Sequence, residues 1–210
     1  MFYLAIADHL HLRTLHPDDA GVLFRLIELN RARLQPWIHP SSLPKTAEAT
    51  RDFTIECFLN SLNPMEAAAK YPQYVQELEE YFPLPDPPME MGIWWNGSLA
   101  GELMLSRLQE SYIAAEFGYW IAEEAEGRGL VTRCVSALMD YAIGEMGVER
   151  FVIGCAVDNL RSRAIPERLG YRLQATVPDG EVVGDFVYDR VIYGIRSTAW
   201  RERKKVLLST

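Results

Sequence analysis

A glycine-rich turn between a strand-like segment and a helix-like segment constrains this chain more than any other feature. The apolar run Phe117-Gly118-Tyr119-Trp120-Ile121 is typical of a strand, and Glu126-Gly127-Arg128-Gly129 then leads into apolar residues at helical spacing over 130–146. A helix that opens in this way leaves backbone N–H groups unpaired at its positive end, where an anion is favoured. The turn therefore predicts a phosphate-binding site, although glycine pairs also form ordinary turns.

A polar segment further along the chain strengthens this prediction. The segment Asn159–Tyr171 holds three of the seven arginines found from Gly127 to Arg172, which are Arg128, Arg133, Arg150, Arg161, Arg163, Arg168 and Arg172. The net charge of the chain is −8, so bulk attraction to nucleic acid or to an anionic membrane is not expected. An anionic ligand would have to be held by this local group of arginines. The alternative for each arginine is a solvated end of a helix or strand.

Cysteine and histidine usage argues against a disulfide scaffold or a metal site. Cys57, Cys134 and Cys155 are widely spaced, which indicates a reducing compartment, and the last two fall on apolar faces of predicted core elements. His9 and His11 share one strand face, but no further ligand completes a zinc site, so we expect surface histidines and no metal. The chain shows neither a signal peptide nor the ~18-residue apolar stretch of a membrane span, so a cytoplasmic protein is expected.

Hydrophobic periodicity predicts one α/β domain over residues 1–210, with no linker or internal repeat. Asn96-Gly97 between two apolar runs predicts a tight hairpin, and His16-Pro17-Asp18-Asp19 predicts a helix start. The predicted strands, in chain order, are an edge strand at 9–15 and strands at 91–95, 99–106, 112–121, 151–157, 171–177 and 186–195. The predicted helices begin after His16 and cover 47–59, parts of 63–81, 130–146 and 162–169, and a polar tail follows at 200–205.

The region 61–90 is read as a helical insertion that prolines close at its C-terminal end. It carries several aromatic residues, among them Tyr71 and Tyr74, so it is expected to pack on the rest of the chain. Two interpretations remain open: a helical flap that covers the core, or a surface for substrate or dimer contacts.

This order of segments, together with three motifs, resembles the GNAT superfamily of acyl-CoA-dependent N-acetyltransferases. The motifs are residues 117–121, the turn Gly127-Arg128-Gly129-Leu130, and the segment from Asn159 to Tyr171 that contains Ser162-Arg163-Ala164-Ile165-Pro166-Glu167-Arg168-Leu169-Gly170. Within the superfamily they are similar to the ribosomal-protein N-acetyltransferase branch (RimJ/RimL-like). The resemblance implies an α/β fold whose mixed, mostly antiparallel sheet has a splayed central parallel pair and is flanked by helices.

The resemblance also implies acetyl-CoA as co-substrate. It assigns cofactor binding to residues on the strand, the turn and the short helix: Trp120, Ile121, Ala122, Arg128, Gly129, Leu130, Val131, Thr132, Asn159 and Arg163. A splayed strand pair leaves N–H and C=O groups that an amide-containing pantetheine arm can pair with. Two positions depart from the family pattern. Glu126 places a carboxylate near the expected pyrophosphate, and Val131 stands where a smaller residue is usual.

The same resemblance implies roles for two polar residues in acetyl transfer to an amine. Glu116, on the face of the strand that carries Gly118 and Trp120, resembles the family's base. Ser162 is the implied proton donor, because Pro166 stands where many relatives place a tyrosine. The alternatives are a solvated strand-edge carboxylate for Glu116 and a helix N-cap for Ser162.

The expected function is acetyl-CoA-dependent N-acetylation of a primary amine, and the expected acceptor is a protein N-terminal α-amino group. A homodimer is a further expectation. Three alternatives stay open: acetylation of a small amine such as a polyamine or antibiotic, a coenzyme-A-binding relative without turnover, and a dinucleotide oxidoreductase. The oxidoreductase is disfavoured because no complete Gly-x-Gly-x-x-Gly occurs and no acidic residue ends the strand at 151–157.

Overall fold

A single twisted sheet of eight strands forms the centre of the computed structural model, which describes residues 1–62, 64–77, 87–108 and 113–208. The strands are β1 (Tyr3–Ala7), β2 (Leu10–Thr14), β3 (Met89–Trp95), β4 (Ser98–Arg107), β5 (Ala114–Ile121), β6 (Arg150–Ala156), β7 (Arg172–Val183) and β8 (Phe186–Arg196). Their order across the sheet is β1-β2-β3-β4-β5-β6-β8-β7. The β3–β4 turn is the predicted hairpin, with Asn96 at φ 50° and Gly97 at φ 79°.

Helices cover both faces of the sheet. They are α1 (Ala20–Leu34), α2 (Ala47–Asn60), α3 (Pro64–Lys70), α4 (Pro72–Glu77), α5 (Leu130–Glu145), α6 (Leu160–Leu169) and α7 (Ser197–Leu208). Apolar residues of α5 and α6 pack on one face in the larger core cluster, while residues of α1 and α2 pack on the other face with Leu99 and Trp120. Among the described residues, no helix is long and apolar enough to cross a membrane.

The parallel pair β5–β6 confirms the predicted splay. The two strands are paired only at Ala114–Arg150, Ala115–Phe151 and Glu116–Val152, and they separate beyond these positions. All other neighbouring strands are antiparallel. The second halves of β5 and β6 therefore border a gap in the middle of the sheet.

The N-terminal edge of the sheet corrects one prediction. The strand expected at 9–15 exists as β2, but it is not the edge, because β1 pairs with its outer side. Residues 3–7 have no clean alternation of polar and apolar side chains, and only Leu4 and Ile6 pack against the core. A five-residue strand with one partly buried face gives too weak a period to detect.

The C-terminus corrects a second prediction. The segment read as a polar tail at 200–205 lies within α7, and Trp200 is 2% exposed. The Trp200 indole donates a hydrogen bond to Asp140 of α5 at 2.8 Å. One buried aromatic residue fixes an otherwise charged helix, so composition alone could not distinguish this helix from a solvated tail.

The region 61–90 contains helical turns, as predicted, in α3 and α4. The rings of Tyr71 and Tyr74 contact Phe58 of α2 edge-on, at 4.8 and 5.9 Å between centroids. Asn63 and residues 78–86 of this region lie outside the described residues, as does Tyr112, the predicted start of β5. The described part therefore packs on α2, and its role at a surface stays a prediction.

Candidate active site

The gap between β5 and β6 opens into a cleft of about 1130 Å³ that passes from one face of the sheet to the other. Eight of the residues predicted to bind cofactor or to act in catalysis line it: Trp120, Ile121, Gly129, Leu130, Val131, Thr132, Asn159 and Ser162. They come from β5, from the start of α5 and from the start of α6. The fold thus brings together segments that the sequence separates by a whole helix and strand.

The glycine turn has the geometry of an anion site. Gly127 and Gly129 have φ values of 71° and 69°, a conformation that side chains other than glycine rarely adopt. Gly129 is the N-cap of the sixteen-residue helix α5, no side chain caps this end, and the first turn carries no acidic residue. The first N–H groups of α5 have no partner within the helix and face the cleft with its positive dipole end.

Glu126 does not oppose an anion at this turn. Its carboxylate accepts a hydrogen bond from Arg33 of α1 at 2.6 Å and forms an ion pair with Arg161 of α6 at 3.0 Å. Two guanidinium groups therefore offset its charge. Arg33 also donates to the carbonyl of Ile121. Glu126, which departs from the family pattern, therefore links the turn to α1 through Arg33 and to α6 through Arg161.

Asn159 and Ser162 meet at the start of α6. The Asn159 side chain caps this helix and accepts a hydrogen bond from the Ser162 N–H at 3.1 Å. The N-cap interpretation of Ser162 is therefore wrong, since Asn159 occupies that position. The Ser162 hydroxyl lies 3.3 Å from the Tyr119 hydroxyl, which donates a hydrogen bond to the Ser162 carbonyl at 3.0 Å. Burial raises the pKa of Tyr119 well above its ordinary value, so its hydroxyl stays protonated.

Two predicted cofactor residues, Ala122 and Arg128, lie beside the cleft rather than in its wall. Ala122 is buried, and its N–H donates to the carbonyl of Ala100 at 2.7 Å. The guanidinium of Arg128 stands over the ring of Trp95, 4.8 Å from its centroid. Cation–π contact holds this side chain against the β3–β4 hairpin.

Arg163 is also held away from the cleft. Its guanidinium donates hydrogen bonds to the Tyr193 hydroxyl at 3.1 Å and to the Val157 carbonyl at 2.9 Å. Tyr193 belongs to β8 and Val157 follows β6, and Arg163 is not among the residues that line the cleft. The contact predicted between Arg163 and a coenzyme phosphate therefore has no support from its position.

Glu116 lies just where β5 and β6 part. Its carboxylate accepts a hydrogen bond from Arg190 of β8 at 2.7 Å, and the Arg190 guanidinium also lies 3.2 Å from Glu181. A side chain at Gly154 would collide with that guanidinium, so the glycine makes room for it. Glu116 is thus a paired carboxylate next to the cleft and not part of its lining.

Comparison with known proteins agrees with this geometry. The sequence-family model of the acetyltransferase (GNAT) domain matches residues 9–172 of this chain. The chain belongs to the GNAT family. A Bacillus subtilis (strain 168) GNAT relative named as a ribosomal N-acetyltransferase, YdaF, is 31% identical over 204 residues, which cover 97% of this chain and all of that protein. Family and relative together show that the chain is an N-acetyltransferase.

Solved GNAT structures share the fold. RimL, a ribosomal L7/L12 α-N-protein acetyltransferase solved with coenzyme A in a disulfide with one of its cysteines, superposes with a TM-score of 0.73 at 23% identity, covering 93% of this chain and 98% of that one. The microcin C7 self-immunity acetyltransferase MccE, solved with acetyl-CoA and AMP, gives 0.72 at 21% identity, with coverage of 91% and 94%. The predicted fold class is confirmed.

The GNAT cleft also contains residues that sequence reasoning missed. Glu90 of β3 and Glu102 of β4 line the half of the cleft opposite the glycine turn, and Arg33 of α1 and Tyr119 of β5 also belong to its wall. Glu102 is 7% exposed, and one of its oxygens accepts a hydrogen bond from the Trp120 indole at 2.6 Å. An acidic residue within an otherwise apolar strand was the available signal, since such a residue is rarely buried without a role.

Burial changes the ionisation of both carboxyl groups. It raises the pKa of Glu90 to about 7. Burial and the nearby charge of Glu90 raise the pKa of Glu102 to about 8, and the Trp120 hydrogen bond opposes this only in part. The wall around them is completed by residues of the loop after α1 and by Phe53 of α2: Trp37, Ile38, His39 and Ser42. This half of the cleft combines aromatic surface with carboxyl groups.

Proposed function

We propose that this GNAT protein transfers the acetyl group of acetyl-CoA to a protein N-terminal α-amino group. One observation carries the proposal. The uncapped N-terminus of α5, with Gly127 and Gly129 at positive φ, opens onto the same cleft as the gap between β5 and β6. An anion site joined to unpaired strand edges suits a pyrophosphate followed by a chain of amides.

Acetyl-CoA fits the residues present. In the proposal the amides of the turn, from Gly129 to Thr132, receive the pyrophosphate. The backbone of Trp120 and Ile121 pairs with the pantetheine arm, and Asn159 lies alongside it. The pairing of Glu126 with Arg33 and Arg161 supports this arrangement, because it removes the one unfavourable charge next to the turn. Structural neighbours solved with coenzyme A or acetyl-CoA support the same ligand.

The chemistry joins the amine nitrogen to the acetyl carbon while the bond from that carbon to sulfur breaks. The amine must lose a proton before it attacks, and the departing thiolate must gain one. Ser162 is proposed as the donor to the thiolate, since its hydroxyl lies in the cleft and contacts the protonated Tyr119 hydroxyl. The role of Glu116 as base stays a prediction, because its carboxylate is engaged by Arg190.

The acceptor half of the cleft favours a cation. Glu90 and Glu102 face a space bordered by Trp37 and Phe53, which suits a primary ammonium group on a chain with apolar parts. YdaF, named as a ribosomal N-acetyltransferase, and RimL, named as a ribosomal L7/L12 α-N-protein acetyltransferase, support a protein N-terminus over a small amine. A homodimer, a cytoplasmic location and a single domain with an insertion at 61–90 stay predictions.

The proposal is tested in two steps. Calorimetric titration of acetyl-CoA into the purified chain should show 1:1 binding, and its absence would refute the co-substrate. Peptides with a free α-amino group and one internal lysine are then incubated with acetyl-CoA, and thiol release and the modified atom are measured. Acetylation confined to the α-amino group supports the proposal. Transfer to spermidine but to no peptide would favour a small-amine enzyme.

A further inference from the structure

Two carboxyl groups on one face of the sheet have opposite surroundings. Glu102 of β4 is paired with Trp120 of β5 in the strand register, so its side chain shares a face with those of Gly118 and Glu116. Glu116 is neutralised by Arg190 at 2.7 Å. In contrast, one oxygen of Glu102 is buried without a hydrogen-bond partner, although the side chain lines the cleft.

A buried carboxyl oxygen without a donor costs free energy, and native proteins rarely retain one unless a ligand, an ion or a water molecule supplies the missing donor. The second oxygen is fixed by the Trp120 indole, so the carboxyl plane cannot turn away to find another partner. Glu90 shares the same face from β3, because Gly92, two residues on, is the register partner of Glu102. The arrangement is a rigid acceptor next to a second acidic group.

The groups around this pair do not neutralise it. The Cys57 thiol of α2 lies near both carboxyl groups, and Arg33 of α1, His39 of the following loop and Glu181 of β7 line the same cleft. Arg33 is held by Glu126 and the Ile121 carbonyl. Among the residues that the structure describes, no basic side chain pairs with Glu90 or Glu102. This oxygen lies in the cleft wall, where a donor from outside the chain, such as an ammonium group, can reach it.

We propose that Glu102, with Glu90 beside it, forms the subsite that receives the ammonium group of the acceptor and that Glu102 takes its proton. This inference rests on the proposed function and names the residue that makes the amine reactive. The ammonium binds the ionised form of Glu102, which is the minor form below about pH 8, gives it one proton and becomes a neutral amine. The amine nitrogen then bonds to the acetyl carbon and the carbon–sulfur bond breaks. Ser162 gives its proton to the thiolate and regains one when the nitrogen loses its second proton. Glu102 returns its proton to water.

The proton affinities match this step. The pKa of Glu102 is raised to about 8, close to the value of an α-amino group, which is about 8. Transfer between groups of similar pKa requires little free energy and works near neutral pH. Trp120 links the subsite to the proposed cofactor position, because its indole holds Glu102 while its backbone borders the gap between β5 and β6.

The first experiment tests the subsite without turnover. At about pH 9, where Glu102 is ionised and an alkylammonium keeps its charge, butylammonium chloride is titrated calorimetrically into the wild type, the Glu102→Gln variant and the Glu145→Gln variant, each with and without coenzyme A. Glutamine keeps the oxygen that accepts from Trp120 but lacks the charge, and Glu145 is an exposed residue of α5. We expect binding by wild type and Glu145→Gln, and about a tenfold or greater loss in Glu102→Gln. Equal binding by all three proteins overturns the proposal.

The second experiment separates proton removal from a structural role. The value of kcat/KM is measured for a peptide α-amino group and for trifluoroethylamine, whose nitrogen is already neutral at neutral pH. Glu102→Gln should reduce the peptide rate about a hundredfold near neutral pH, with the deficit shrinking as pH rises. Trifluoroethylamine should show little deficit. A deficit that is the same for both amines at every pH contradicts base catalysis, as does a loss of the pH dependence in Glu116→Gln but not in Glu102→Gln.

A further variant guards against misfolding. Glu90→Gln leaves the Glu102–Trp120 hydrogen bond intact and removes a neighbouring charge that raises the pKa of Glu102. The midpoint of the pH profile should therefore move to lower pH, and an unmoved midpoint counts against the pair. Acetyl-CoA titration accompanies each variant. Failure of acetyl-CoA to bind would refute the proposed function, while butylammonium binding would still decide the subsite.

Discussion

The two halves of the cleft are lined by different kinds of group, mainly backbone amides in one half and side chains in the other. The half at the start of α5 and α6 is made of backbone amides, glycine at positive φ, and arginines paired with Glu126. The half on the other face is made of side chains from several elements, with Glu90, Glu102 and Trp37 in its wall. One half suits the pyrophosphate of a cofactor, which is the same in every reaction. The other half suits the ammonium group of an acceptor, which can differ between substrates. Backbone geometry can serve a ligand that never changes, whereas a changing partner requires side chains.

The strongest test of the backbone half is Gly129→Asp. A non-glycine residue is strained at φ 69°, and a carboxylate at the start of α5 would repel a pyrophosphate. We expect acetyl-CoA affinity to fall by about a hundredfold or more, measured by calorimetry, while butylammonium binding stays unchanged.

Gly144→Asp is the matched control, because it adds the same charge to the same helix at a site with open space. Equal loss in both variants would attribute the effect to net charge instead of the turn. Loss of butylammonium binding in Gly129→Asp would show that the two halves are not independent.

This difference also explains what the sequence could predict. The turn at 126–132 and the motif from Asn159 to Ser162 are each one continuous stretch of sequence. Their predicted function depends mainly on local backbone geometry, so the local sequence pattern was enough to predict it. The splay between β5 and β6 followed from the resemblance. Glu102 and Glu90 were missed because their meaning depends on a register between three strands and on burial by α1 and α2. The one local signal, an acidic residue within an apolar strand, shows neither this register nor this burial.

The same reasoning accounts for Arg163 and Glu116. Both were assigned roles from their place in a motif, yet each has a nearer partner supplied by β8, namely Tyr193 or Arg190. A motif shows which residue types are present, but residues from a distant strand determine which partners those side chains contact. Glu126 shows the converse, since Arg33 from α1 turned an unfavourable charge into a structural contact.

The junction between the halves is tested by Ser162→Ala. If Ser162 supplies the proton to the thiolate, kcat should fall about ten- to a hundredfold with acetyl-CoA affinity unchanged, since the backbone N–H bonded to Asn159 is retained.

Tyr119→Phe serves as the comparison, because it removes the hydroxyl that contacts Ser162. A larger fall in Tyr119→Phe than in Ser162→Ala would transfer the donor role to the tyrosine. No fall in either variant would mean that the thiolate takes its proton from water.

The carboxyl half should make stability depend on pH. The pKa of Glu102 is about 8 in the fold and near 4.5 when unfolded, so the folded chain holds a proton that the unfolded chain releases between these values. The free energy of unfolding should therefore fall as pH rises toward about 8, by at most about 5 kcal/mol. Glu102→Gln lacks this slope.

Thermal denaturation across this pH range checks the prediction. Relative to wild type, Glu102→Gln should gain in Tm as pH rises, whatever constant offset the amide introduces. Glu145→Gln should follow wild type. Parallel curves for all three proteins would mean that Glu102 ionises as freely in the fold as in the unfolded chain.

The smallest expected effect concerns the ion pairs that Glu126 forms with Arg33 and Arg161. Arg33→Ala leaves Glu126 beside the turn with Arg161 as its remaining cation, and that arginine is largely exposed. Partly exposed ion pairs contribute little, so acetyl-CoA affinity should fall only about three- to fivefold. The decisive variant is the double substitution Arg33→Ala/Glu126→Gln, which removes the unpaired carboxylate as well. Recovery of affinity in the double variant would show that Arg33 acts by neutralising Glu126. Persistent loss would place its effect in the hydrogen bond to the Ile121 carbonyl, where it would fix the strand edge that both halves share.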